Sequence, residues 1–77
     1  MTLMEKVRAV GYFMVHTNYC GTSTIQLKFG YNYNTCSDII DVLERLGIIS
    51  EYDMIKHNRT ILVETIEELE EKLDFYF

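Results

Sequence analysis

A mainly α domain carrying one small β-hairpin, an α+β arrangement, is expected on three grounds. Apolar residues recur at helical spacing in four separate stretches, and three of these open on a capping-box pattern. Two short runs rich in β-branched residues, Ile48-Ile49 and Thr60-Ile61-Leu62-Val63, flank a polar loop ahead of the last stretch, as the limbs of a hairpin do. Proline is absent and glycine numbers only 4 in 77 residues, which argues against linkers, disorder and many-turned all-β folds.

The first helix follows Thr2-Leu3-Met4-Glu5, where the hydroxyl and the carboxylate can each satisfy an orphan backbone donor. Leu3, Val7, Val10 and Met14 share one stripe behind that cap, so the helix is expected over about 3–15. Asn18 to Gly21 reads as an extended link. Ser23-Thr24-Ile25-Gln26 is a second capping box and opens a short helix through Leu27 and Phe29. Gly30-Tyr31-Asn32 supplies a turn, because Gly and Asn tolerate left-handed backbone. A third helix starts at Tyr33 or Asn34, buries Ile39, Ile40, Leu43 and Leu46, and stops at Gly47. Residues 48–52 and 60–63 are the expected strands, joined by a polar loop with a basic tip over 53–58. Thr65-Ile66-Glu67-Glu68 then caps a last helix with Ile66, Leu69, Leu73 and Tyr76 on one face. Helix, helix, tight turn, helix, hairpin, helix is the plan of a winged helix-turn-helix.

The net charge of -5 is unevenly placed. From Glu64 onward there are six acids and one base, so residues 1–63 are neutral overall, with six of each sign. We therefore divide the chain into a winged-helix core over 1–63 and an acidic C-terminal helix over 64–77, expected to serve dimerisation. Cys20 and Cys36 lack the close pairing of a zinc site, so no metal is expected and both read as reduced thiols. His16 and His57 stand far apart, neither cysteine has a local activating partner, and the Glu67-Glu68-Glu70-Glu71 run is a solvated helix face. No catalytic residue, enzyme activity or cofactor is expected. Charges within the first fifteen residues exclude a signal peptide, and no apolar run is long enough to span a bilayer. The expected location is cytoplasmic, with no membrane partner.

The stretch Ser23-Thr24-Ile25-Gln26-Leu27-Lys28-Phe29, with Tyr33-Asn34, Ile40-Asp41, Leu43-Glu44 and Gly47-Ile48-Ile49, resembles the C-terminal γ domain of FtsK-type DNA translocases. The spacing from Phe29 to Gly47 matches that family without a gap, and Arg59-Thr60-Ile61-Leu62 resembles the second strand of its wing. The resemblance covers about Thr22 to Val63 and implies the fold and a general role on duplex DNA. Two family arginines that would read guanine edges or phosphates are Thr35 and Asp38 here, and Asn32 replaces a family glycine. The family's sequence-specific reading is therefore not carried over. No phosphate-cradling G-x-x-x-x-G-K-[ST] motor loop is present, so a free-standing domain or small adaptor is expected. In size and plan the chain is also similar to the winged-helix adaptors of tubulin-type plasmid and phage partition systems.

The candidate DNA contacts fall in three places. Lys56, His57, Asn58 and Arg59 form the expected wing tip, where bases can lie on phosphates or enter the minor groove. Asn32, Tyr33, Asn34 and Thr35 open the third helix, whose positive end suits a phosphate and whose asparagines can read adenine. Lys28 on the second helix supplements these, with Lys6 and Arg8 as further phosphate candidates. For self-association, Phe75-Tyr76-Phe77 place three aromatics at the end of a short chain, with Leu73 on the same helix. Cys36 and Val42 are the candidates for a dimer seam along the third helix, whose poor set of bases makes it a weak groove reader. The expected partners are double-stranded DNA, a second copy of the chain, and a further protein that recognises the DNA-bound form. A regulator of transcription and a centromere-binding partition adaptor both fit. A protein-interaction module that has lost DNA binding is the competing class.

Overall fold

Helix α1 spans Leu3–Thr17 and begins where the sequence places it. The Thr2 hydroxyl accepts from Glu5 N–H at 3.2 Å and the Glu5 carboxylate accepts from Thr2 N–H at 3.2 Å, closing the capping box. The helix runs two residues past the expected end, until Asn18 turns left-handed at φ 56°. This computed structural model describes residues 2–76, with Tyr76 described by its backbone alone.

Helix α2, Thr22–Phe29, starts one residue before Ser23. Its N-cap is Gly21 and no side chain caps it, so the Ser23–Gln26 pattern lies inside the first turn instead of forming the expected box. Gly30, at φ 70°, closes it with its N–H on the Gln26 carbonyl at 2.9 Å. Helix α3, Tyr33–Arg45, is capped by Asn32, whose side-chain oxygen accepts from Thr35 N–H at 2.8 Å. Cys36, Ile39, Ile40 and Leu43 fall on one stripe and are buried. Gly47 leaves the helix left-handed at φ 75°, where a side chain would be strained. Helix α4, Ile66–Tyr76, follows Thr65, whose hydroxyl accepts from Glu68 N–H at 3.2 Å.

The expected strands do not form among the described residues. Two isolated antiparallel bridges remain, Ile49 with Ile61 and Asp53 with Asn58. Their registers differ by one residue, since Ser50–Tyr52 on the outgoing limb face only Arg59 and Thr60 on the returning one. Side chains also take over ladder positions. Thr60 N–H donates to the Ser50 hydroxyl at 2.8 Å, and the Ser50 carbonyl accepts from the Arg59 guanidinium at 3.0 Å. The limbs still run antiparallel, with Ser50 N–H on the Thr60 carbonyl and Leu62 N–H on the Ile48 carbonyl, each at 2.8 Å.

The core lies where α1 packs on α3 and α4 and where α2 packs on α3. Val7, Val10, Met14, Ile25, Ile39, Leu43, Ile48, Leu69 and Leu73 are fully buried. Leu3 and Ile66, expected on the inner stripes, are exposed at the helix starts. Gly11 sits at the α1–α3–α4 junction, where a Cβ would come within 3.1 Å of Leu69 Cδ1 and 3.7 Å of Leu43 Cδ2. Its missing side chain lets α4 lie close. On the outside of the same seam, the Glu70 carboxylate of α4 accepts from both the Arg8 guanidinium and the Tyr12 hydroxyl of α1. Those two hydrogen bonds hold Glu70 below the usual carboxylate range, and the one between Glu70 and Tyr12 raises the Tyr12 phenol above its own. Phe13 and Phe29 meet edge-on at 5.6 Å, Phe29 stacks on Tyr31 at 5.4 Å, and Lys6 Nζ lies 5.3 Å from the centre of the Tyr31 ring. This aromatic chain fastens the α2–α3 turn to α1.

Candidate nucleic-acid interface

The α2–turn–α3 unit presents the polar residues expected at the start of α3, but with different roles. The side-chain oxygen of Asn32 is committed to the Thr35 amide, and Thr35 is half-buried. Tyr33 and Asn34 point outward, Tyr33 with 66% of its surface exposed. Lys28, in the last turn of α2, is exposed, and so is Asp38 one turn into α3. The outer surface at the start of α3 thus carries a phenol, an amide and a carboxylate but no base.

The turn at 53–58 is built around Asp53. Its carboxylate accepts from Ile55 N–H at 2.9 Å and Lys56 N–H at 3.0 Å, while Asp53 N–H donates to the Asn58 carbonyl at 2.7 Å. His57 completes the reversal at φ 56°. Lys56, His57 and Asn58 are exposed, as a contact surface requires. Arg59 departs from its expected place at the tip. Its guanidinium turns back to the Glu44 carboxylate of α3 and the Ser50 carbonyl, leaving 21% of the side chain exposed. Glu44 lies fifteen residues away in the chain, so the pairing has no local signature. Arg8 is likewise engaged, with Glu70 and, at 3.9 Å, Asp74.

Behind the turn a cleft of about 310 Å³ is lined by Asn18, Tyr19, Cys20, Gly21, Thr22, Tyr52, His57, Asn58 and Arg59. It brings His57, Asn58 and Arg59 together with residues that sequence reasoning passed over. Tyr19 and Tyr52 stand out among them, both about half exposed and both flanked by hydrogen-bonding groups. Exposed tyrosines beside loop glycine and asparagine were the available signal. Sequence reasoning also missed Met54 and Ile55, which stand outward at the turn itself.

The residues expected at a dimer seam divide. Cys36, expected on the outer side of α3, is fully buried in the core, and burial pushes its thiol pKa up. The helical stripe it shares with Ile39, Ile40 and Leu43 turns it inward. Val42 is partly buried against that core. Leu73 is fully buried in the core, so it too is unavailable to a partner. Phe75 is 94% exposed. The Tyr76 side chain and Phe77 lie outside the described residues. Beside Phe75, between the end of α3 and α4, a groove of about 690 Å³ is lined by Arg45, Leu46, Glu68, Glu71 and Lys72.

Cys20 is half-buried, which raises its thiol pKa, and it donates to the Arg59 carbonyl at 3.2 Å. Among the described residues no three His, Cys, Asp or Glu side chains stand close enough to share a metal ion. No helix among them is long and apolar enough to cross a membrane.

The described residues thus form four helices, with an α2–turn–α3 unit and a folded-back turn before α4. The FtsK gamma domain model matches residues 3–64. The chain belongs to the FtsK gamma domain family. That family consists of DNA-binding winged-helix domains, and the match agrees with the resemblance read from the α2–α3 residues. No curated protein and no solved structure matches the chain.

Proposed function

We propose that this FtsK gamma-type domain is a small DNA-binding adaptor that acts as a dimer on duplex DNA. The family match over residues 3–64 supports the DNA-binding part of the reading. The exposed Lys28, Tyr33 and Asn34 around the start of α3, and Lys56 and His57 on the turn, are the side chains assigned to DNA. Asn32 and Thr35 serve the interface by fixing where α3 begins. Asn58 and Arg59 hold the base of the turn. No base-reading arginine stands at the start of α3, so phosphate contact outweighs base readout.

The dimer is assigned to the Phe75 side of α4. The adjoining groove carries two bases, Arg45 and Lys72, and two acids, Glu68 and Glu71, the mixed charge that lets base meet acid when a second copy packs across a two-fold axis. A two-fold dimer suits repeated or palindromic sites. Two cytoplasmic roles fit such an adaptor: regulation of transcription, and centromere binding in a plasmid or phage partition system, where a further protein reads the bound complex. Neither requires a cofactor or catalysis.

A second reading, a protein-interaction module without DNA binding, is favoured by the engagement of Arg8 and Arg59 within the fold and by the exposed Asp38. Titrating salt against binding to random and mixed-site duplexes separates the two. A DNA-binding adaptor loses affinity linearly in log–log form, with a slope of about -0.9 per phosphate contacted. Absence of duplex binding at low salt leaves the second reading standing.

A further inference from the structure

We propose that the 53–58 turn is an apolar wedge for the minor groove of duplex DNA, with Met54 and Ile55 entering at a flexible base step. The inference rests on the DNA-binding reading above and states how the turn serves it. Met54 is 79% and Ile55 91% exposed, so two adjacent apolar side chains stand in water with nothing of the folded chain over them. They are not on a frayed loop. Asp53 pins the amides of Ile55 and Lys56, its own amide is tied to Asn58, and His57 closes the reversal in the left-handed region. A turn already closed in this way loses little further freedom when its tip is inserted.

Charge selects the occupant. Between Tyr52 and Leu62 the sequence holds one acid, Asp53, and its carboxylate is turned into the turn. Lys56 is exposed next to Ile55, and the cleft behind is lined by amides, phenols, imidazole and guanidinium with no carboxylate. Phe75, also strongly exposed, instead lies next to Asp74, and its groove sets Glu68 and Glu71 against Arg45 and Lys72, so that setting offers phosphate no net positive charge. An apolar pair beside a cation, with the turn's own acid engaged by backbone amides, matches the groove of a polyanion. Side chains such as Met and Ile partly unstack a base step and kink the duplex, and pyrimidine–purine steps yield most readily. Lys56 is then placed for the flanking phosphate.

The test uses the full chain and duplexes of about 30 bp, long enough to report a bend, with a fluorescent aminopurine at a central TA step and dyes at both ends. The native protein should raise the aminopurine fluorescence and shorten the end-to-end distance. Met54→Ala/Ile55→Ala should abolish both signals and weaken binding to this duplex about tenfold. Met54→Leu/Ile55→Val should keep them. Lys56→Ala should flatten the salt slope by about 0.9 while the fluorescence rise persists. Unchanged circular dichroism and melting confirm that the exposed substitutions leave the fold intact. Duplex binding by the native protein without unstacking, or unstacking that survives the double alanine variant, overturns the wedge while DNA binding stands, and leaves the tip to a protein partner. Failure of the native protein to bind any duplex at low salt overturns the DNA reading and the wedge together.

Discussion

Glu44→Gln tests whether this protein holds one of its own arginines away from DNA. Arg59 reaches both the Glu44 carboxylate and the Ser50 carbonyl, and the pair is 21% and 34% exposed. Glutamine keeps the shape and an acceptor oxygen but removes the negative charge. An ion pair at this degree of exposure contributes about 1 kcal/mol. In a domain of this size that loss lowers Tm by about 4–8 °C. On DNA the sign reverses. A guanidinium released to a phosphate steepens the log–log salt slope by about 0.9, an extra factor of roughly three to four in affinity between about 50 and 200 mM salt. Thermal melting by circular dichroism and fluorescence anisotropy across that salt range read the two effects separately. Arg59→Ala is the control: it should lower Tm comparably and leave the slope unchanged. A Glu44→Gln protein with lowered Tm but native slope and affinity would refute the reasoning, because the freed arginine would then have found no phosphate.

Four other outcomes are expected. Gly11→Val places methyls where even a Cβ lies 3.1 Å from Leu69, and should cost about 1–3 kcal/mol in urea unfolding; a variant as stable as the native protein would mean that α1 and α4 separate easily. Glu70 has a depressed folded-state pKa, so its contribution is present above the ordinary carboxylate value of about 4.3 and is lost as pH falls through the lower folded value. Glu70→Gln should therefore flatten the acid limb of Tm against pH, and an unchanged limb would remove Glu70 from the account. Phe75→Asp adds a third acid beside Glu71 and Asp74 and should shift sedimentation equilibrium at micromolar concentration from twice the chain mass to the chain mass; a native protein that is already monomeric would overturn the dimer. Asn34→Ala should cost about 1–3 kcal/mol on a specific site and little on random duplex if that amide reads a base, and equal losses on both would make it a backbone contact.

Helix α3 was the most legible element, because four apolar residues at 3.6-residue spacing, an amide cap and a stopping glycine all agree there. The same stripe carried the information that Cys36 faces inward, and a seam through that residue overlooked it. Helix α2 shows the opposite failure. Its Ser23–Gln26 pattern satisfies the capping rule, yet Gly21 allows the helix to start earlier and the rule has no means of ranking the two starts. The β-branched runs correctly marked two limbs that return on each other, but continuous pairing requires equal lengths between bridges. The extra residue at 50–52, with the Ser50 hydroxyl and the Arg59 guanidinium competing for ladder positions, breaks it. Local pattern also failed for Arg59 itself, whose orientation depends on Glu44 in another helix. The basic tip read from sequence therefore shrinks to Lys56 and His57, with Met54 and Ile55 beside them.

Leu69 and Leu73 have a consequence for how this domain can be moved between proteins. Both lie beyond residue 64, where the family match stops, yet both are fully buried in the core. Cutting the chain at the match boundary would take Leu69 away from Gly11 of α1 and remove the Glu70 tie to Arg8 and Tyr12. The length of sequence that the family match covers is shorter than the length that closes the core. A graft of this domain onto another protein should run through Leu73, and a fusion partner joined at residue 64 should inherit a sticky, half-assembled bundle in place of a DNA-binding module.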